Sequence, residues 1–169
     1  MSHTDKHLTE KIHYLGKHQQ AFWTFVSLYG IYVFIFFFAG VWIGSGLAPS
    51  LVGELCLAVL VTLACTFAIR YLVRRPRPDF LHTRYVPVLK KFSFPSAHAS
   101  SSFSLATTIA LLELSGGVTA VGLSASIALF ATAILISVSR IMVGVHFLTD
   151  VLAGAFLGSL VSFVVFLLL

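Results

Sequence analysis

The sequence predicts an all-α integral membrane protein: a helical bundle of about five transmembrane helices, with six as the alternative count, preceded by an amphipathic helix at the membrane interface. Three observations predict it. Hydrophobic residues make up 58% of the 169 residues and charged residues 10%, which is more apolar side chain than a soluble domain of this length can bury. The apolar residues fall into runs of roughly twenty, the length that crosses a hydrocarbon layer. The cations cluster at the boundaries of those runs. No Ser/Gly/Pro-rich linker, low-complexity tract or internal repeat marks a second unit, so residues 1–169 read as one domain.

Residues 1–18 carry Leu8, Ile12 and Leu15 at the spacing of one helical face, with Lys6, Lys11 and Lys17 on the others, the pattern of a helix lying on a membrane surface. His3, His7, His13 and His18 lack paired ligand spacing and read as solvated. A first span runs from Ala21 to Ile43, with Trp23 and Trp42 placed as an interfacial belt; its apolar core is longer than that of a cleaved signal peptide, so it reads as retained. After the turn at 44–50, a second span covers about Leu51 to Tyr71. A third begins near His98 and fades at Gly116-Gly117, a fourth covers about Thr119 to Ser139, and a fifth about Asp150 to Leu169. Cys56 and Cys65 lie nine apart in an apolar run, with no spacing that suggests a metal or a disulfide, and read as packing residues.

Between spans two and three lies the most polar part of the chain, with Arg70, Arg74, Arg75, Arg77, Asp79, Arg84, Lys90 and Lys91. The formal charge of +5 points to lipid phosphate, since no basic run is interleaved with stacking aromatics as nucleic-acid binding would need. A five-span topology places the end of span two, the start of three, the end of four and the start of five on one side of the membrane. Arg70, Arg77, Ser96, His98, Arg140, His146 and Asp150 all share that side. Charge at the end of an apolar span, as at Arg140 and Asp150, is costly unless partnered or functional. In Phe94-Pro95-Ser96-Ala97-His98, Ser96 suits an N-cap and Pro95 a first helical position, and the free amides of a helix start form a natural anion site.

These segments resemble the three-part signature of the type-2 phosphatidic acid phosphatase family, which shares its core with vanadium-dependent haloperoxidases. The family pattern is Lys-x6-Arg-Pro, Pro-Ser-Gly-His and Ser-Arg-x5-His-x3-Asp. Here it stands as Arg70-x6-Arg77-Pro78, Pro95-Ser96-Ala97-His98 and Ser139-Arg140-x5-His146-x3-Asp150, within a motif region of 70–150. Arg70 takes the place of lysine, offering a planar fork for a point donor, and Ala97 that of glycine, so that position needs no positive φ. The resemblance implies His146 as nucleophile with Asp150 fixing its tautomer, and His98 as general acid and then base. It further implies Arg70, Arg77 and Arg140, with Ser96 and the Ala97 amide, as holders of the phosphate oxygens. No metal or cofactor is implied, because three guanidinium groups supply the positive field.

The expected reaction is metal-independent hydrolysis of a phosphate monoester or diphosphate on a lipid, with undecaprenyl diphosphate first, on the looser likeness to small bacterial undecaprenyl diphosphate phosphatases. Phosphatidylglycerophosphate, phosphatidic acid and lipid A phosphates are the alternatives. Vanadate-dependent oxidative halogenation and non-catalytic lipid-phosphate binding are the readings of other classes. The expected partners are the lipid substrate and membrane lipids, and no nucleic acid. The expected location is the cell membrane, the site facing outward although the cations favour the cytoplasmic side. Arg74, Arg75, Arg84, Lys90 and Lys91 read as solvated or headgroup-facing; Arg74, Arg75, Arg84 and Lys90 are also candidates for holding the second phosphate of a diphosphate. His82 reads as a loop histidine, Glu54 and Glu113 as reaching interfacial water, and Met142 as lipid-facing or core packing.

Overall fold

A computed structural model describes residues 3–45, 50–78, 92–117 and 119–169. The regular elements among the described residues are all helical: α1 (His3–Leu15), a 3-10 turn (Lys17–Gln19), α2 (Gln20–Ser45), α3 (Ser50–Val73), α4 (Ala97–Gly116), α5 (Ala120–Met142) and α6 (Leu148–Leu168). Helices are what a lipid solvent demands, because each backbone group must be paired within its own segment. Four segments, 17–36, 52–73, 120–142 and 148–168, are long and apolar enough to cross a membrane. These make the chain a multi-pass membrane protein.

The helix expected as the third span, α4, is 20 residues long but is not among those four. Its place in the bundle explains why it can be more polar. It packs against α3, α5 and α6, and buries Ser100, Ser102, Ser104 and Thr108 together with Ala99, Leu105, Ala106 and Ile109. The hydroxyls find partners across the helix contacts: Thr62 donates to Ser104 (3.1 Å), Ser104 pairs with Ser162 (2.7 Å), Thr66 with Ser100 (2.9 Å), and Thr107 donates to Ser159 (3.1 Å). This neutral seam joins α3, α4 and α6 in the way interhelical hydroxyls do in bilayers. Small residues bring the backbones close. A Cβ at Gly158 would collide with the Ser100 carbonyl, and one at Gly154 would lie 2.6 Å from the Ser96 carbonyl oxygen.

On the other side of α4, an apolar core forms from Phe34, Leu55, Leu105, Ala106, Ile109, Leu129, Ala133 and Ile136. It fixes α2 and α3 against α4 and α5. The α5 start is capped by Thr119, whose hydroxyl accepts from the Gly122 amide at 2.9 Å.

The amphipathic helix expected at the N-terminus is present as α1, but its polar side is the one that docks. Asp5, Thr9 and Gly16 are buried, whereas Leu8 (42% exposed) and Leu15 (77%) face away from the bundle. The reason is what α1 meets, namely the open ends of α5 and α6, which present unpaired carbonyls and amides. His13 Nδ1 lies 2.8 Å from the Met142 carbonyl and Gln20 donates to the same oxygen at 3.2 Å. The expectation that His13 is merely solvated is therefore corrected. Thr9 Oγ1 accepts from the Leu148 amide (3.0 Å) and Asp5 Oδ1 from the Thr149 amide (3.3 Å). Ile12 adds an apolar contact to Ala99, Ile141 and Val151.

Candidate active site

The site is built on the turn between α5 and α6. Helix α5 ends with the Val145 amide donating to the Arg140 carbonyl (3.1 Å) and the Gly144 amide to the Ile141 carbonyl (2.9 Å). This is a Schellman ending, which requires a left-handed residue, supplied by Gly144 at φ 75°. The reversal leaves His146 buried between the two helices. Helix α6 then starts at Leu148, and Asp150 in its first turn folds back so that Oδ2 accepts from the Phe147 amide at 2.9 Å. That carboxylate caps α6 and complements its dipole. The same Oδ2 lies 3.5 Å from His146 Nδ1.

On the other edge of the imidazole, Arg77 Nη1 lies 3.2 Å from Nε2 and donates to the Val145 carbonyl at 2.8 Å. A guanidinium can only donate, so Nε2 is the bare nitrogen and the proton sits on Nδ1, facing Asp150. Burial first, then the charges of Arg140, Arg77 and Arg70, hold the His146 pKa well below the ordinary histidine value, so its imidazole is neutral.

The remaining candidates converge on this point. The Ser96 amide donates to the Asp150 carbonyl at 2.9 Å, tying the start of α4 to the start of α6. Arg70 is buried and braces the same turn, donating to the Pro95 carbonyl at 2.6 Å. Ala97 and His98 open α4, and His98, half-buried, feels the charges of Arg140, His146, Arg70 and Arg77. Arg140 is buried and donates to the carbonyl of Ser27 on α2 (2.9 Å) and to the Ser27 hydroxyl. One detail of the motif is corrected. Ser96 occupies the N-cap, so Pro95 precedes the cap instead of opening the helix, and the Ser96 hydroxyl makes no capping bond. It is fully buried without a hydrogen-bond partner among the described residues. Leaving such a group unpaired costs about 1–3 kcal/mol, and a phosphate oxygen would satisfy it.

Residues 51–169 match the PAP2 superfamily. The chain belongs to that family. It is 37% identical over 101 residues to phosphatidylglycerophosphatase B of Bacillus subtilis, covering 55% of this chain and 45% of the relative. It is 38% identical over 103 residues to decaprenylphosphoryl-5-phosphoribose phosphatase of Mycobacterium tuberculosis, covering 60% and 52%. The chain thus spans about half the length of the curated relatives it matches. The fold is similar to that of a PAP2-type phosphatidylglycerolphosphate phosphatase from Bacillus subtilis (TM-score 0.73, 22% identity, 98% of this chain and 86% of that one). Aquifex aeolicus LpxE is also similar (TM-score 0.59, 26% identity, 98% and 87%).

Within this PAP2 chain, the motif residues do not account for the whole cluster. Arg75, expected to be solvated or to reach a substrate diphosphate, instead turns inward. Its Nη1 donates to Asp150 Oδ1 (2.8 Å) and Thr149 Oγ1 (2.6 Å), its Nη2 to Asp5 Oδ2 (2.5 Å), and its guanidinium lies 4.1 Å above the Phe147 ring. Two buried carboxylates of separate elements claim it. Arg74 is exposed as expected. Asp79, His82, Arg84, Lys90 and Lys91 lie outside the described residues. Sequence reasoning also passed over Gly144, although a glycine just after an apolar span is a recognised stop signal.

Proposed function

We propose that the chain is a metal-independent membrane lipid phosphatase that works through a phosphohistidine at His146. The observation that carries this reading is the placement of that ring, with the Asp150 carboxylate facing Nδ1 at 3.5 Å and a guanidinium donor at Nε2. Arg77 occupies the lone pair only while no substrate is bound. A phosphate entering between Arg70, Arg77 and Arg140 offers Arg77 better acceptors and frees Nε2 to attack. The P–N bond forms as the bond from phosphorus to the lipid oxygen breaks, and His98, protonated once the anionic phosphate sits among the surrounding cations, gives that proton to the leaving oxygen and becomes neutral. His98 then takes a proton from water, which attacks phosphorus, and the P–N bond breaks to release phosphate. Asp150 stabilises the transient positive charge on the ring. The Ser96 hydroxyl and the amides opening α4 hold the equatorial oxygens, and the three guanidinium groups balance their charge.

The site lies at helix ends, where a lipid-anchored phosphate can reach it from within the bilayer, and we assign undecaprenyl diphosphate as substrate, on the cell membrane with the site outward. A second reading is favoured by the relatives' names, phosphatidylglycerophosphatase and decaprenylphosphoryl-5-phosphoribose phosphatase: a lipid ending in one phosphate. Phosphate release by detergent-purified protein with a chelator present tests both, using undecaprenyl diphosphate, phosphatidylglycerophosphate and phosphatidic acid beside His146→Ala. The expected result is chelator-resistant release, greatest from undecaprenyl diphosphate and lost in the variant. Preference for phosphatidylglycerophosphate selects the second reading, and no release from any of the three overturns both. A cysteine at position 3, labelled on intact cells by an impermeant thiol reagent, is expected for the outward face; protection reverses the orientation.

A further inference from the structure

The contacts of Arg75 lead from the N-terminal helix towards the imidazole: Asp5 to Arg75 (2.5 Å) and Arg75 to Asp150 (2.8 Å) are hydrogen-bonded, and Asp150 Oδ2 then faces His146 Nδ1 at 3.5 Å, a distance without a formed hydrogen bond. We propose that α1 is a working part of the active site, with Asp5 and Arg75 as positioning residues that aim Asp150 at His146. The proposal rests on His146 being the nucleophile.

The argument is one of charge and direction. Asp150 must accept from Nδ1 with one particular oxygen, and a lone carboxylate at the start of a helix can rotate. Arg75 pins Oδ1 while the Phe147 amide pins Oδ2, so the carboxylate plane is fixed from both sides. A guanidinium facing Asp150 alone would also draw off the negative charge that the imidazolium needs. Asp5 prevents this, because it lies on the other fork of the same guanidinium and shares its charge. Burial pushes the Asp5 carboxyl up, but the hydrogen bonds from Thr149 and Arg75 outweigh it and hold the pKa below the ordinary aspartate value, so Asp5 is ionised. Thr149 completes the frame: its hydroxyl donates to Asp5 Oδ2 (2.6 Å) and accepts from Arg75. Thr9 holds Asp5 in register, donating to the Asp5 carbonyl (2.7 Å) while accepting from the Leu148 amide. Neither Asp5 nor Arg75 touches the expected place of the phosphate, so their effect reaches the substrate only through Asp150.

The test is steady-state kinetics of the full chain, folded state checked by size exclusion and thermal melting, for Asp5→Asn, Arg75→Lys, their double variant and Thr149→Val. Lysine keeps the charge but cannot bridge two carboxylates. Orienting partners of this kind are typically worth about 10–100-fold, so kcat is expected to fall about 10-fold in Asp5→Asn and in Arg75→Lys, with KM within about twofold. The double variant should be no slower than the slower single one, since both break one path. Thr149→Val, the mildest change, should show a smaller fall in kcat and serves if a charged-site variant does not fold. A folded Asp5→Asn or Thr149→Val protein with wild-type kcat, or losses that multiply in the double variant, overturns the proposal and leaves α1 a purely structural clamp. His146→Ala in the same assay separates the two ideas. If it retains turnover, the nucleophile reading fails and this one with it; if it is inactive while Asp5→Asn is unimpaired, only the role of α1 fails.

Discussion

Two polar regions hold this bundle together, and they use opposite chemistry. Along the shared faces of α3, α4 and α6, neutral hydroxyls pair with one another across the helices: Thr62 with Ser104, Ser104 with Ser162, Thr66 with Ser100. At the membrane-boundary end, charged groups are packed several to a partner, with Arg75 on two carboxylates and Asp150 on an arginine, an amide and an imidazole. Neutral pairs in hydrocarbon need no counter-charge and are each replaceable. Buried ions must be matched as a set, and removing one leaves the others uncompensated. The seam can therefore be loosened gradually, whereas the ionic cluster fails abruptly.

The largest effect is expected from Asp150→Asn. The amide keeps the size but loses the charge and the fixed acceptor facing Nδ1, and loss of such a partner lowers kcat by about 10²–10⁴-fold. Turnover within threefold of wild type would show that Asp150 serves only as a cap for α6. Next comes Gly158→Val, which drives a side chain into the Ser100 carbonyl. Overpacking of this kind costs about 1–3 kcal/mol, so the melting temperature should drop clearly; an unchanged value would mean that α4 and α6 can separate without loss. Ser104→Ala should be milder, about 0.5–1.5 kcal/mol, with kcat unaffected because the Ser104 hydroxyl bonds only Thr62 and Ser162 among the described residues, away from the site. A change in kcat would erase the distinction between the two regions. The smallest effect concerns pH. The folded pKa of His146 lies well below the ordinary 6.5 that applies unfolded. The unfolded chain therefore binds more protons below about 6.5, and this contribution to stability is complete above that value and declines as pH falls beneath it. The drop in melting temperature between pH 7 and pH 5 should be smaller in His146→Gln, and equal drops would mean that the ring is protonated in the fold.

What the sequence made legible was what local spacing encodes. His146 and Asp150 are four residues apart across the start of α6, and Ser96 and His98 bracket the start of α4, so spacing alone brings each pair together. Every helix end falls within three residues of its expected place. The Asp5–Arg75 pair could not be read in the same way, because it joins residues 70 apart and depends on the angle at which α1 crosses the α5–α6 turn. Periodicity misled here for a physical reason. Of the Leu8–Ile12–Leu15 stripe only Ile12 docks, because the bundle presents α1 mostly with open helix ends that polar groups must satisfy. Arg75, two residues before the motif arginine Arg77, looked like one more boundary cation; only the fold supplies its two carboxylates.

The family match begins at residue 51, yet Asp5, Thr9 and Ser27 lie before it and hold Arg75, the α6 start and Arg140. A chimera that grafted residues 51–169 behind a foreign first span would inherit all three motifs intact and lose those three anchors. The family model and the contacts that hold these side chains have different borders in this chain, and a transplant drawn along the first would cut through the second.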